Sequence, residues 1–209
     1  MIVFALDIST STGYSVQEHD GEVKLLEQGS IQNDKRIEDY GPYPFSYYYA
    51  AKNMALLIQD QLAKHRPDVI VIEETNGSRS RYTQKILEFL HYAVLHTLLD
   101  TKAKVVYINT SDWRKSVGGM LSKEDKKQNA KVAKAKQKAK TDGKLDLKKF
   151  AELKKQMGVR GKVNKKHVAI RLVNQMFGLS LKAKDDDVAD AICLGLALYN
   201  GVPHCDGKK

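Results

Sequence analysis

Cysteine is nearly absent: Cys193 and Cys205 are the only two in 209 residues. Their separation fits neither a zinc-ligand spacing nor a disulfide framework. A cystine-stapled or zinc-held domain is thereby excluded, and a reducing cytoplasm is the expected setting. Long apolar runs are also missing; none approaches the roughly 20 residues that span a bilayer. The opening stretch MIVFALDIST reads as a strand and lacks the basic residues that begin a signal peptide, so neither membrane insertion nor export is expected. No internal repeat is visible. The chain is 42% hydrophobic, enough for a sizeable core in a single domain over residues 1–209.

Acid is scarce in one place. Residues 120–162 hold 14 Lys and one Arg against five acids, a net of +10, which equals the formal charge of the whole chain. Everything outside that segment is neutral in sum. A local excess of one sign steers a polyanion and neutralises phosphates, and this reading is preferred to a merely solvated pair of charged helices. Lys131, Lys134 and Lys138, in the Ala/Lys-rich stretch KVAKAKQKAK, are the candidate contacts. Ser122 with Asp125 forms a capping-box-like start, and Gly143 divides the segment into two helices. The second, LDLKKFAELKKQMG, is amphipathic through Leu147, Phe150, Leu153 and Met157. The first has little apolar face, so it is expected to become ordered on nucleic acid rather than by packing.

The remaining chain alternates strands and helices. Residues 1–8, TGYSVQEH and EVKLLEQGSI read as three strands in meander, with Asp20–Gly21 as a hairpin turn. A Tyr-rich stretch leads into a helix at about 46–65; its tyrosines are read as packing residues. PDVIVIEET is a continuous apolar strand ending at Glu73, a pattern that implies burial on both faces. The helix over about 80–99 has an unusually wide apolar surface and is expected to be covered on more than one side. On it, His91 and His96 are read as packed or surface residues. KAKVVYIN is a fifth strand. TSDWRKSVGG is a capped short helix closed by Gly118–Gly119. NKKHVAIRLVNQMFG is an amphipathic helix, and DDDVADAICLGLAL is a final apolar one. The order implies an α/β fold: a mixed five-stranded sheet with helices on both faces and a Lys-rich helical insertion at about 120–162.

That last helix carries the chemical signal. Carboxylates favour a helix N-terminus, which accounts for Asp185 and Asp186. Asp190 lies a turn deeper, among Val188, Ala189, Ala191, Ile192 and Leu194, where an unpaired charge is costly. A cation shared between carboxylates removes that cost. If the first and fourth strands are neighbours, Asp7 and Glu73 meet at one sheet edge, and Asp187 and Asp190, three residues apart on one helix face, lie over them. Asp186 with Asp190 is the alternative pair. Four oxygen-only ligands suit two hard divalent ions about 3.5–4 Å apart, a pair that activates water on one side of a phosphodiester and stabilises the leaving oxygen on the other. Cys193, one turn further, reads as a packed core thiol.

Four segments in order carry a resemblance. FALDISTSTGYSV resembles the opening of RuvC-type Holliday junction resolvases, whose strand has an Asp followed closely by Thr-Gly. PDVIVIEE is similar to their second acidic strand and selects Glu73 over Glu74. DDDVADAICLGLAL looks like their C-terminal Asp-x-x-Asp-Ala helix and selects Asp187 and Asp190. TSDWRKSVGG and NKKHVAIRLV resemble the segments with basic residues near the scissile phosphate, at Arg114 and Lys165, with Lys166 beside it. The likeness covers residues 1–119 and 163–200. It implies an RNase H-like fold, two Mg²⁺ or Mn²⁺ ions per active site, cleavage of branched DNA such as four-way junctions, and a homodimer formed largely by the helix after Glu73. It further implies a cytoplasmic, nucleoid-associated protein of a bacterial or phage-infected cell. Two departures stand out. Ser9 replaces a glycine common in the first motif. Asn76 stands where some members place an aromatic residue at the junction core, with Tyr82 as the nearest substitute. Sequence selectivity is therefore not carried over, and broader branched-DNA cleavage, as phage-type relatives show, is at least equally expected.

Two other classes compete. The D-x-S-T-S-T-G loop also resembles the phosphate loop of actin-like ATPases and sugar kinases, but those need two such domains. A non-catalytic branched-DNA-binding protein is disfavoured by the acids, because unpaired carboxylates repel phosphate. Another nuclease of the same fold, acting on RNA–DNA hybrids, is the remaining alternative.

Overall fold

The structure, a computed structural model, describes residues 1–75, 80–141 and 144–206. Asn76 and Gly143 lie outside the described residues. Five strands form the main sheet: β1 (Ile2–Asp7), β2 (Ser11–Asp20), β3 (Glu22–Gln32), β4 (Val69–Glu73) and β5 (Lys104–Ile108). The lateral order is β3-β2-β1-β4-β5. β1 runs antiparallel to β2 and parallel to β4, and β4 runs parallel to β5. The expected meander and the expected neighbours are both present. Two further strand pieces were not anticipated: a two-residue strand, Cys205–Asp206, which extends the sheet beyond β5, and a small hairpin of Lys140–Thr141 with Lys144–Leu145 inside the insertion. Both are too short to leave a periodic signal.

The central strands are apolar on both sides, and each side has its own core. Phe4, Leu6, Ile70 and Ile72 face the helices α1 (Phe45–His65) and α2 (Arg81–Leu98). Val3, Ala5, Val69 and Val71 face α6 (Lys165–Phe177) and α7 (Asp186–Tyr199). One-residue alternation thus supplies both layers from the same strands. α2 buries a single stripe, Ile86, Leu90, Val94 and Leu98. Among the described residues, α2 is not covered on more than one side as expected: Tyr92 is 75% and Leu99 62% exposed.

α7 lies unusually close to β2. A Cβ on Gly13 would collide with the backbone of Asp187, and one on Gly195 with the side chain of Gln17. β2 also grips the helix through buried polar groups. Ser15 Oγ donates to the Ala191 carbonyl at 3.1 Å, and Gln17 Nε2 donates to that of Ile192 at 2.9 Å. The Thr-Gly pair of the first motif therefore has a mechanical reading. Thr12 closes the loop after β1 by donating to the Ser9 carbonyl, and Gly13 lets the acidic helix approach.

The short helix α3 (Thr110–Ser116) follows β5 directly, capped by the side chain of Asn109. The insertion consists of α4 (Lys123–Lys138), the small hairpin and α5 (Leu147–Gln156). The Ser122/Asp125 capping box is present. The expectation for α4 needs correcting. Its apolar contact is indeed small, Val132 and Ala135, but polar side chains hold it to the body. Asp125 pairs with Arg171 at 2.9 Å, Gln128 donates to the Gly161 carbonyl, and Asn129 bonds both backbone groups of Val163. These contacts seat α4 on the body by pairing rather than by an apolar face.

Candidate metal centre

Leu6 pairs with Ile72 in parallel register, so the next residues, Asp7 and Glu73, emerge side by side at the carboxyl ends of β1 and β4. α7 brings Asp190 over them. Oxygens of Asp7, Glu73 and Asp190 all lie within 4.8 Å of one another. A small cavity of about 220 Å³ opens here, lined by Asp7, Glu73, Glu74, Thr75, Leu87, His91 and Thr110 among others.

The electrostatics are those of crowded acid. Burial, then the charges of Glu73, Asp190 and Asp187, raise the Asp7 carboxyl well above the usual carboxylate range. Asp190 is 1% exposed. Its burial raises its carboxyl to about 6, against the opposing pull of Arg114. Among the described residues, Asp190 Oδ1 is buried and has no hydrogen-bond partner. Three converging carboxylates, one with a free buried oxygen, fit a hard divalent cation, for which oxygen is the preferred donor. Glu74, also on the cavity wall, accepts a bond from Asn109 Nδ2 at 2.8 Å; Glu73 is the member of the pair that joins the converging group.

Asp187 stands at the margin. It shares Lys166 with Asp186, at 3.2 Å from Asp187, and accepts a 3.4 Å bond from Ser9 Oγ. Its charge reaches Asp7, but it is not one of the three that converge. Burial alone would lower the Lys166 ammonium; the carboxylates of Asp186 and Asp187 outweigh it and hold it above the usual lysine range. The alternative pair, Asp186 with Asp190, is not formed either.

Arg114 differs most from expectation. It is not a surface group awaiting phosphate. It is 6% exposed, and its Nη2 donates to Asp190 Oδ2 at 2.6 Å. A cation next to a buried acid is drawn to it, since each would otherwise carry an uncompensated charge. Lys165 is exposed, as are Lys131, Lys134 and Lys138, which at i, i+3 and i+7 share a face of α4. Two residues of the site carried no readable signal. Trp113 donates its indole N–H to Glu73 Oε1 at 3.2 Å. His91 lines the cavity wall, and burial holds its imidazole at about 4, neutral at pH 7. Cys193 is buried, as expected, and Cys205 is exposed. Among the described residues, no helix is long and apolar enough to cross a membrane.

A mixed sheet in the order 3-2-1-4-5, with acids ending its first and fourth strands and a third acid on the last helix, defines an RNase H-like fold. Within that class the chain is similar to RuvC. A structure of T. thermophilus RuvC in complex with Holliday junction substrate matches 98% of this chain and 100% of its own, with a TM-score of 0.61 and 12% identity. A second structure of Thermus thermophilus RuvC matches the same shares with a TM-score of 0.59 and 13% identity. No family model matches the sequence, and no curated protein matches it. At such identities the likeness establishes the fold.

Proposed function

We propose that this chain is a divalent-metal-dependent endodeoxyribonuclease that cuts branched DNA, four-way junctions above all. The observation that carries the reading is the convergence of Asp7, Glu73 and Asp190 in a chain whose entire net positive charge lies elsewhere, on the insertion. Carboxylates alone would repel a phosphodiester. With Mg²⁺ or Mn²⁺ bound, the same group becomes a site for phosphate. The cation supplies Lewis acidity and a water of lowered pKa. Asp7, Glu73 and Asp190 would hold it. Asp187 is the candidate fourth ligand, for a second ion, once Lys166 turns from it toward a phosphate. No nucleophilic side chain is required. Lys165 and the α4 lysines, Lys131, Lys134 and Lys138, are the proposed contacts to the DNA backbone, with Lys166 joining them when released. Arg114 leaves that set, because it is buried against Asp190.

The proposal includes a homodimer. Tyr92, Leu95 and Leu99 leave an apolar patch on α2, and a two-fold pair of sites would cut the two opposing strands of a symmetric junction. The deciding experiment is cleavage of a synthetic four-way junction beside linear duplex and RNA–DNA hybrid, with Mg²⁺ or with EDTA. Metal-dependent cutting of the junction in preference to the other two supports the proposal. Preference for the hybrid replaces it with an RNase H-type activity, and binding without any cutting replaces it with a structural role.

A further inference from the structure

Two adjacent residues on α3 lie outside the carboxylate cluster, yet each holds one of its members. Trp113, 0% exposed, donates its indole N–H to Glu73 Oε1 at 3.2 Å. Arg114 donates to Asp190 Oδ2 at 2.6 Å. The guanidinium carbon lies 4.0 Å from the centroid of the indole ring, so the two side chains also stack on each other. Glu73 ends β4 and Asp190 sits on α7. The two carriers of these acids are thus tied to one short helix, whose own position is set by β5 and the Asn109 cap.

We infer that Trp113 and Arg114 form a positioning unit for the metal centre. The inference rests on the nuclease reading above. Each donor occupies one oxygen of its carboxylate. A carboxylate held at one oxygen cannot rotate freely, and its other oxygen is aimed. For Asp190 that other oxygen is the buried, unpartnered Oδ1. Arg114 also offsets one of the charges that crowd the site, so the cluster can stay assembled before a cation arrives. Stacking restrains the guanidinium further, because a planar fork over a ring loses the freedom a lysine would keep. Neither residue touches the reacting phosphate in this scheme; both act through the acids they hold.

The test measures Mn²⁺ affinity by calorimetry or electron paramagnetic resonance, and cleavage rate against Mg²⁺ concentration, on the full chain. Trp113→Phe keeps a ring and deletes the N–H. Arg114→Lys keeps the charge and loses the fork, and Arg114→Met loses both. Groups that orient metal ligands are worth about 10–100-fold in metal affinity. Trp113→Phe should therefore weaken Mn²⁺ binding about 10-fold and raise the half-saturating Mg²⁺ by a similar factor. The rate at saturating Mg²⁺ should return close to that of the natural chain. Arg114→Lys should fall between the natural chain and Arg114→Met. If Arg114→Met does not fold, the other two variants carry the test. A folded Trp113→Phe protein with unchanged Mn²⁺ affinity and Mg²⁺ dependence, and only a lower Tm, overturns the inference and leaves the nuclease reading standing. A natural chain that binds no Mn²⁺ overturns both.

Discussion

The sheet edge and the lysine insertion are built on opposite principles. At the edge, three acids are forced together by strand register and a close-lying helix, with one of them 1% exposed. In the insertion, cations are spread over the solvent face of helices that bury little: Asp125, Val132 and Ala135 on α4, and no residue of α5. A site for chemistry must fix atoms to a fraction of an ångström, so it is placed where packing is tightest. A surface that gathers a polyanion needs only charge at long range, so loose anchoring serves it. On the nuclease reading proposed above, the edge would set the rate and the insertion the affinity.

The sharpest way to break that division is Asp7→Asn. Cleavage should fall about 10³-fold or more, because a metal ligand worth several kcal/mol is lost. Junction binding should persist or tighten, since one repelling charge is gone. Metal-dependent cutting retained in a gel assay would remove Asp7 from the site. Next in size is the insertion. Replacing residues 120–162 with a short Gly/Ser linker should weaken junction binding and flatten its salt dependence by several units. Log K falls by about 0.9 per phosphate contact for each decade of salt. Changing only Lys131, Lys134 and Lys138 to alanine should recover part of that flattening. In both variants the rate at saturating protein should stay near that of the natural chain. An unchanged salt slope in titrations of a folded variant would give the lysines another role.

The third prediction concerns the apolar patch on α2. Light scattering at micromolar concentration should give a dimer mass, and Tyr92→Lys combined with Leu99→Lys should halve it. A monomer mass for the natural chain, with and without junction DNA, contradicts the dimer.

The smallest effect is thermal, and its sign is informative. Asp7 has a carboxyl raised in the folded chain by burial and by its acidic neighbours. Such a group contributes stability that is present below the unfolded value near 4 and is lost as pH rises through the folded value. His91, held at about 4 by burial, has the opposite slope, since the unfolded chain takes up its proton first as pH falls below about 6.5. The comparison must therefore be between variants. In EDTA, Asp7→Asn should match the natural chain near pH 4 and have the higher Tm at pH 7. Adding Mn²⁺ at pH 7 should reverse the order, and the gain from metal should fade toward pH 5 as protons compete for the carboxylates. Scanning calorimetry across pH gives both slopes. An Asp7→Asn chain less stable than the natural one in EDTA at pH 7 would mean the acids are not in conflict.

Much of the fold was legible because its signals are local and periodic. Apolar strands, amphipathic helices and caps set the elements, and a parallel pair of strands ending in acid set Asp7 beside Glu73. Asp190 was legible as an acid set a turn inside the helix, between the apolar residues Val188, Ala189, Ala191 and Ile192. What failed to read was partnership. Three-residue spacing puts Asp187 on the face of Asp190, but it cannot reveal that Lys166 from another helix shares it with Asp186. An arginine beside a tryptophan looks like any exposed cation until the fold shows both buried. His91 needed the cavity to be seen, and α4 needed its hydrogen-bond partners around Val163. Burial and pairing between distant segments are properties of the assembled core, not of any stretch of chain.

The approach of α7 to β2 has one more consequence. The helix carrying Asp190 is seated by a missing side chain at Gly13, where the strand meets the backbone of Asp187 and Val188 with no room for a methyl. Elsewhere in the core a change of volume can be absorbed by a rotamer. Here there is nothing to rotate, so the seat is a hard stop. The gap between the third carboxylate and the sheet is thereby machined into the main chain, and it would stay the same however freely the surrounding side chains were exchanged.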